Sequence, residues 1–249
     1  MIKKTTIFLS FLFCMQTLSQ SASAMTLFGS KKDKKETTKS VQSDYNKLVG
    51  RDTMAIKGLM GVIQKENDYY LEIPKALIGR EILVSNKLLQ VPQELNEAGV
   101  NKGINYENKT IKFEWEKGLN KLNIREQRLT PEVYSFYAMA PSVKDNYINP
   151  LIASLKIEGV SKDSASVVVK VTNLFNGKDE CLNDVFNLIN LGTSANSELS
   201  RILSMKAFDN NVAATSELTT VVHEGKSKTN ITIVVSTSLI LLPSRPMMG

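Results

Sequence analysis

Residues Ile56–Val91 read IKGLMGVIQKENDYYLEIPKALIGREILVSNKLLQV, and their pattern decides the fold. Leu59, Gly61 and Ile63 fall on one face of a first strand, and Glu66-Asn67-Asp68 makes a polar turn. Tyr69, Leu71 and Ile73 then alternate with Tyr70 and Glu72 until Pro74 stops the run, as expected for a half-buried strand. After a turn at Lys75–Gly79 a third run starts at Arg80 and ends at Pro92. Three strands and two turns make a meander that buries one face and asks the rest of the chain to cover it.

The downstream chain supplies that cover mostly as strands. Asp44–Asp52 reads as a short helix with Tyr45 and Leu48 on one side, and Gln93–Gly103 as a polar loop or helical turn. In Lys109–Glu116, Ile111, Phe113 and Trp115 face one way and Lys112, Glu114 and Glu116 the other. Lys117–Asn120 turns this strand into Lys121–Thr130, with Leu122 and Ile124 inside, the clearest hairpin pattern in the sequence. Tyr134–Tyr147 is aromatic-rich; its residues either line a pocket or, as aromatic clusters more often do, plug a core. Ile152–Glu158 and Ser166–Asn173 form another hairpin about Gly159–Asp163.

Past Phe175 the spacing changes. Asp179–Leu191 and Asn196–Ala207 carry apolar residues at mixed three- and four-residue intervals, which predicts two short amphipathic helices, the second capped by Ser194 or Asn196. Val212–His223 and Thr229–Leu242 then read as strands about a Glu224–Lys228 turn. The apolar run Ile231–Leu242 suits a central strand and is too short for a membrane-spanning helix. The expected fold class is therefore α+β and β-rich: antiparallel sheets or meanders with two short helices in the C-terminal third.

Composition bounds the function. Of 249 residues, 42% are hydrophobic and 22% charged, proportions that sustain a folded core. The net charge of +6 is concentrated near the start, in Lys3, Lys4 and the Lys31–Lys39 run, so the remainder is nearly neutral and offers no basic face for nucleic acid. Met1–Ala24 has the form of a signal peptide: Lys3 and Lys4, the apolar Ile7–Met15, and Ala22-Ser23-Ala24 as cleavage site. Residues 25–43 follow as a basic polar linker, and 44–249 as the folded module, with a division into a small 44–92 subdomain plus 93–249 as the alternative. Export to the periplasm or exterior, with or without outer-membrane association, is expected, and no transmembrane segment remains once the signal is removed. With Cys14 in the signal, Cys181 stands alone and no internal disulfide can form.

Chemistry-bearing motifs are scarce. His223 is the only histidine, and His223-Glu224 lacks the second histidine of HExxH because position 227 is Ser. The segment also reads as a strand end and turn, whereas HExxH needs a helix. No GxSxG elbow, GxxxxGK[ST] loop or GxGxxG turn occurs. Glu114 and Glu116 share a strand face, where carboxylates are ordinarily solvated. The residues thus nominate no catalytic, cofactor-binding or metal-ligating positions.

The series Lys57–Pro92, Ile111–Gly118, Ala153–Phe175, Ser200–Thr219 and Ile231–Gly249 resembles the N-terminal region of large exported zinc-dependent metalloproteases of metzincin type, in which two domains of unknown function precede the catalytic domain. No position here matches the family's HExxHxxGxxH. The resemblance implies a C-terminally truncated, non-catalytic scaffold or flanking module, without peptidase activity or a cofactor of its own, zinc belonging to the full-length relatives. Its partner would be a catalytic domain, in the same chain or separate. An uncovered strand at Leu239–Leu242 is expected to allow self-association. The alternative is a stand-alone extracytoplasmic binding protein for a peptide or glycan, using Tyr134–Tyr147.

Overall fold

The computed structural model describes residues 45, 48, 54–128, 137–161, 163–177, 181–189, 191, 193–225 and 227–244. Met1–Ala24, expected to be a signal peptide, residues 25–43, expected to be a linker, and Tyr134–Phe136 lie outside them. Strands take up 54% of the described residues, so a sheet rather than helices fixes the architecture. In chain order they are β1 (Met54–Ile56), β2 (Gly61–Lys65), β3 (Asp68–Pro74), β4 (Glu81–Gln90), β5 (Asn105–Glu116), β6 (Lys121–Gln127), β7 (Leu151–Val160), β8 (Ser166–Lys170), β9 (Arg201–Ala207), β10 (Asn211–Glu224) and β11 (Ser227–Leu241). Two short α-helices are described, α1 (Gln93–Glu97) and α2 (Ala140–Asn146). Tyr45 and Leu48 are helical too. Among the described residues no helix is long and apolar enough to cross a membrane.

All eleven strands join one antiparallel sheet, ordered β1-β2-β3-β8-β7-β6-β5-β4-β11-β10-β9. The two ends of this order approach each other: the Leu59 N–H donates to the Phe208 carbonyl at 2.7 Å. Gly58 permits the approach, since a Cβ there would lie 2.6 Å from the same carbonyl oxygen. The sheet therefore curls around its inner face. Leu71 and Ile73 of β3, Ile82 and Val84 of β4, Ile111 and Phe113 of β5, Leu122 and Ile124 of β6, and Leu239 of β11 share one buried cluster there. Each such side chain contributes roughly 1.5–3 kcal/mol by leaving water.

A second cluster, with Leu88, Phe186, Leu218, Ile233 and Val235, lies further along the same strands. A polar layer separates the two. Along β4 the sequence of inner residues is Val84, Asn86, Leu88; along β11 it is Leu239, Thr237, Val235. Asn86 and Thr237 are fully buried and directly opposed. The Thr237 hydroxyl donates to Asn86 Oδ1 at 2.7 Å, and Asn86 Nδ2 donates to the Leu182 carbonyl at 2.9 Å. Buried amides need such partners, and here they tie β4 and β11 to the segment crossing between β8 and β9.

Several sequence expectations hold. Tyr69, Leu71 and Ile73 are buried, and Glu114 and Glu116 are exposed. The β5–β6 hairpin turns at Lys117–Asn120. β11 is central, between β4 and β10.

Four expectations are corrected. The opening meander stops at β3: Pro74 and a 3₁₀ turn at Lys75–Leu77 redirect the chain, so β4 pairs with β5 and β11 rather than β3. No helix forms over Asn196–Ala207, where β9 pairs with β10. Within Asp179–Leu191 the described residues make irregular turns. Finally, β11 is no uncovered edge: both its sides are paired and Leu239 is 1% exposed.

Candidate functional site

The cleft with the most chemistry lies between β5 and the segment that joins β8 to β9. Its volume is about 440 Å3, and Glu107, Lys109, Gly177, Cys181, Asp184, Asn187, Leu188 and Ser194 line it. Glu107 and Lys109 occupy the same phase of β5 as Ile111 and Phe113, so the strand carries its core face outward into this cleft as an ion pair. Lys109 Nζ and Glu107 Oε1 are 3.1 Å apart, with the lysine side chain 18% exposed. Partial burial shields the pair from screening, and each charge offsets the desolvation of the other.

The opposite wall is held by its own short polar side chains. Asp184 Oδ1 accepts from the Phe186 N–H at 3.2 Å, and Oδ2 from Asn187 Nδ2 at 2.8 Å. Asn183 Nδ2 donates to the Phe175 carbonyl at 3.0 Å, and the Tyr106 hydroxyl donates to the Asn183 carbonyl at 3.1 Å. Side chains that satisfy nearby backbone in this way favour turns over a continuing helix. Leu182, Val185 and Phe186, each at most 1% exposed, pin the segment to the core. Gly177 adopts φ +77°, and a Cβ there would lie 2.3 Å from Ala195 Cβ, so only glycine fits the turn.

Burial pushes the Cys181 thiol above its ordinary pKa, and Asp184 adds to that. Burial likewise raises the Tyr106 phenol, with Cys181, Glu107 and Asp184 contributing. A protonated thiol is a poor nucleophile, and the Asp184 carboxylate is engaged in holding its loop. The described residues of the cleft can contact a polar group, and among them no nucleophile is paired with a base.

Sequence reasoning did not find this cleft. The available signal was that Glu107 and Lys109 interrupt the apolar phase of β5 with charge. His223, by contrast, is exposed near the end of the β10–β11 hairpin, opposite Lys228. A cation across the strand and Ser at position 227 do not fit a zinc site. Among the described residues no group of three His, Cys, Asp or Glu is placed to hold a metal. Glu114 accepts from Arg125 Nε at 2.8 Å and Glu116 from Asn123 Nδ2 at 3.1 Å, so both carboxylates have surface partners.

The aromatic segment is not core where it is described. Tyr137 and Tyr147 are half exposed, and Met139, Ile148 and Leu151 stand out with them at 60%, 76% and 49% exposure. These large apolar groups fall within one stretch of the chain, from just before α2 to the start of β7.

Two family models match the chain, a domain of unknown function, DUF5117, over residues 103–249 and a domain of unknown function, DUF5118, over residues 42–91. No curated protein matches it, and no solved structure does. The first match covers more than half of the sequence, so the chain belongs to the DUF5117 family.

Proposed function

We propose, from that membership and from the apolar excursion before β7, that the protein is a non-catalytic scaffold or flanking module of an exported zinc-metalloprotease-like protein. The metalloprotease connection comes from the ordered sequence resemblance across Lys57–Gly249. The observation that carries the scaffold role is the exposed group Tyr137, Met139, Tyr147, Ile148 and Leu151. A soluble surface rarely gathers so many large apolar side chains unless another surface covers them. A catalytic domain, in the same polypeptide or separate, is the partner this reading assigns to them.

The cleft at Glu107 and Lys109 fits the same role. Its thiol is held protonated and its carboxylates are engaged, so it contributes binding contacts rather than hydrolysis. The purified protein is expected to contain no stoichiometric zinc and to leave a casein substrate uncut. Metal analysis together with a proteolysis assay, with and without a chelator, tests this. One zinc per chain, or cleavage that the chelator abolishes, would overturn the proposal.

A further inference from the structure

The two family models divide the chain near residues 91–103, yet the sheet ignores that division. β1–β4 fall in the first matched region and β5–β11 in the second. In the sheet, the first three strands form one end and pair through β3 with β8. β4 leaves them and inserts between β5 and β11. It pairs on both edges, from Glu81↔Lys112 to Lys87↔Asn105 on one side and from Ile82↔Leu241 to Gln90↔Val234 on the other. Strands of one region thus enter the other at two separate places.

Side chains reinforce each entry. At β3, the Ser166 hydroxyl donates to Glu72 Oε1, the Tyr69 N–H donates to Thr172 Oγ1 at 2.9 Å, and Lys170 bonds Asp68 Oδ2 at 2.6 Å. At β4, Asn86 holds both Thr237 and Leu182, and Arg80 Nη2 donates to the Leu242 carbonyl at 3.0 Å. The buried cluster is also shared: Leu71, Ile73, Ile82 and Val84 come from the first region, Phe113, Leu122, Val169 and Leu239 from the second.

We infer that the two matched regions are one cooperative unit, in which the DUF5117 region presents a strand-wide slot between β5 and β11 and an open edge at β8, and the partner that fits both is the extended DUF5118 segment ending in EILVSNKLLQ. Without that segment the DUF5117 region would bare three ladders of backbone donors and acceptors, on β5, β11 and β8, and the apolar residues opposite Ile82, Val84 and Leu88. This recognition is by backbone pairing plus alternate apolar side chains, the logic of strand addition.

The connection between β4 and β5 permits a test in the full chain. Val100–Lys102 lies between Gly99 and Gly103, both at positive φ with open space about them, and the adjoining residues are largely exposed. A specific protease site inserted there should be tolerated. After complete cleavage the two pieces are expected to co-elute on size exclusion with no loss of far-UV circular dichroism. Native-state hydrogen exchange on the uncut parent protein is the second measurement, independent of the insertion. Amides of β3, β4, β8 and β11 are expected to open together, with one shared dependence on denaturant. Separation of the cleaved pieces under native conditions, or opening of β1–β4 at lower denaturant than β5–β11, would overturn the inference.

Discussion

Replacing Asn86 by Leu removes a side chain that bridges β4, β11 and the β8–β9 segment in the polar layer. Asn86 Oδ1 accepts from the Thr237 hydroxyl at 2.7 Å, and its Nδ2 donates to the Leu182 carbonyl at 2.9 Å. Thr237 is 0% and Leu182 1% exposed, so water cannot replace either partner without opening the core. Each stranded group costs about 1–3 kcal/mol, and the added methyl groups of leucine offset part of that, leaving about 3 kcal/mol. For a protein of this size, that lowers the melting temperature by about 6–12 °C. Thr237→Val strands only Asn86 Oδ1 and should cost about half as much. In the double variant no Thr237 hydroxyl remains to be stranded, so the combined loss falls short of the sum by about 0.5–3 kcal/mol. Thermal and urea unfolding followed by circular dichroism provide the assay. A melting temperature of Asn86→Leu within about 1 °C of the parent, or strict additivity in the double variant, would refute the reasoning.

Two further outcomes follow from other contacts. The Tyr45 phenol is pushed up to about 12 by burial and then by Glu72, whose Oε1 it reaches at 3.1 Å. Its neutral form is favoured in the folded state, so its contribution is complete below the ordinary value of 10.0 and is lost as pH rises from there through about 12. Tyr45→Phe should therefore flatten the fall in urea midpoint across that window, and parallel curves for variant and parent would contradict this. Lys75 Nζ lies 4.7 Å from the ring centroid of Trp115, the only tryptophan. Lys75→Ala should shift tryptophan emission and cost about 0.5–1 kcal/mol, Lys75→Arg much less; an unchanged spectrum would remove the contact from the account.

The strands with clean alternation were legible because their pairing partners preserve it. Ile111 and Phe113 oppose Glu126 and Ile124 in unbroken register, so the sequence phase survives into the sheet. β9 misled for a specific reason. Its register with β10 slips between Thr215 and Ser216, so that Ser204 opposes Thr215 while Ile202 opposes Ser216 and Leu203 is skipped. This bulge puts Ile202 and Met205, three residues apart, on the core side, which imitates the spacing of a helix. In Asp179–Leu191 the helical spacing is real for a single turn, seen in the Ile189 N–H bond to the Val185 carbonyl at 3.0 Å, before the chain departs. The cleft was illegible for a topological reason: Lys109 and Asp184 meet only because β5 and the β8–β9 segment are brought together by strands far apart in sequence.

β11 follows every other described strand in the chain, yet it lies inside the sheet, between β4 and β10, and its second half, Val234–Leu241, pairs with β4. Until it is made, β4 and β10 each lack a neighbour, and closing that gap must join residues as distant as Ile82 and Leu241. Partners so far apart in sequence slow assembly. Until β11 has emerged, the facing edges of β4 and β10 are open ladders on which another strand can add.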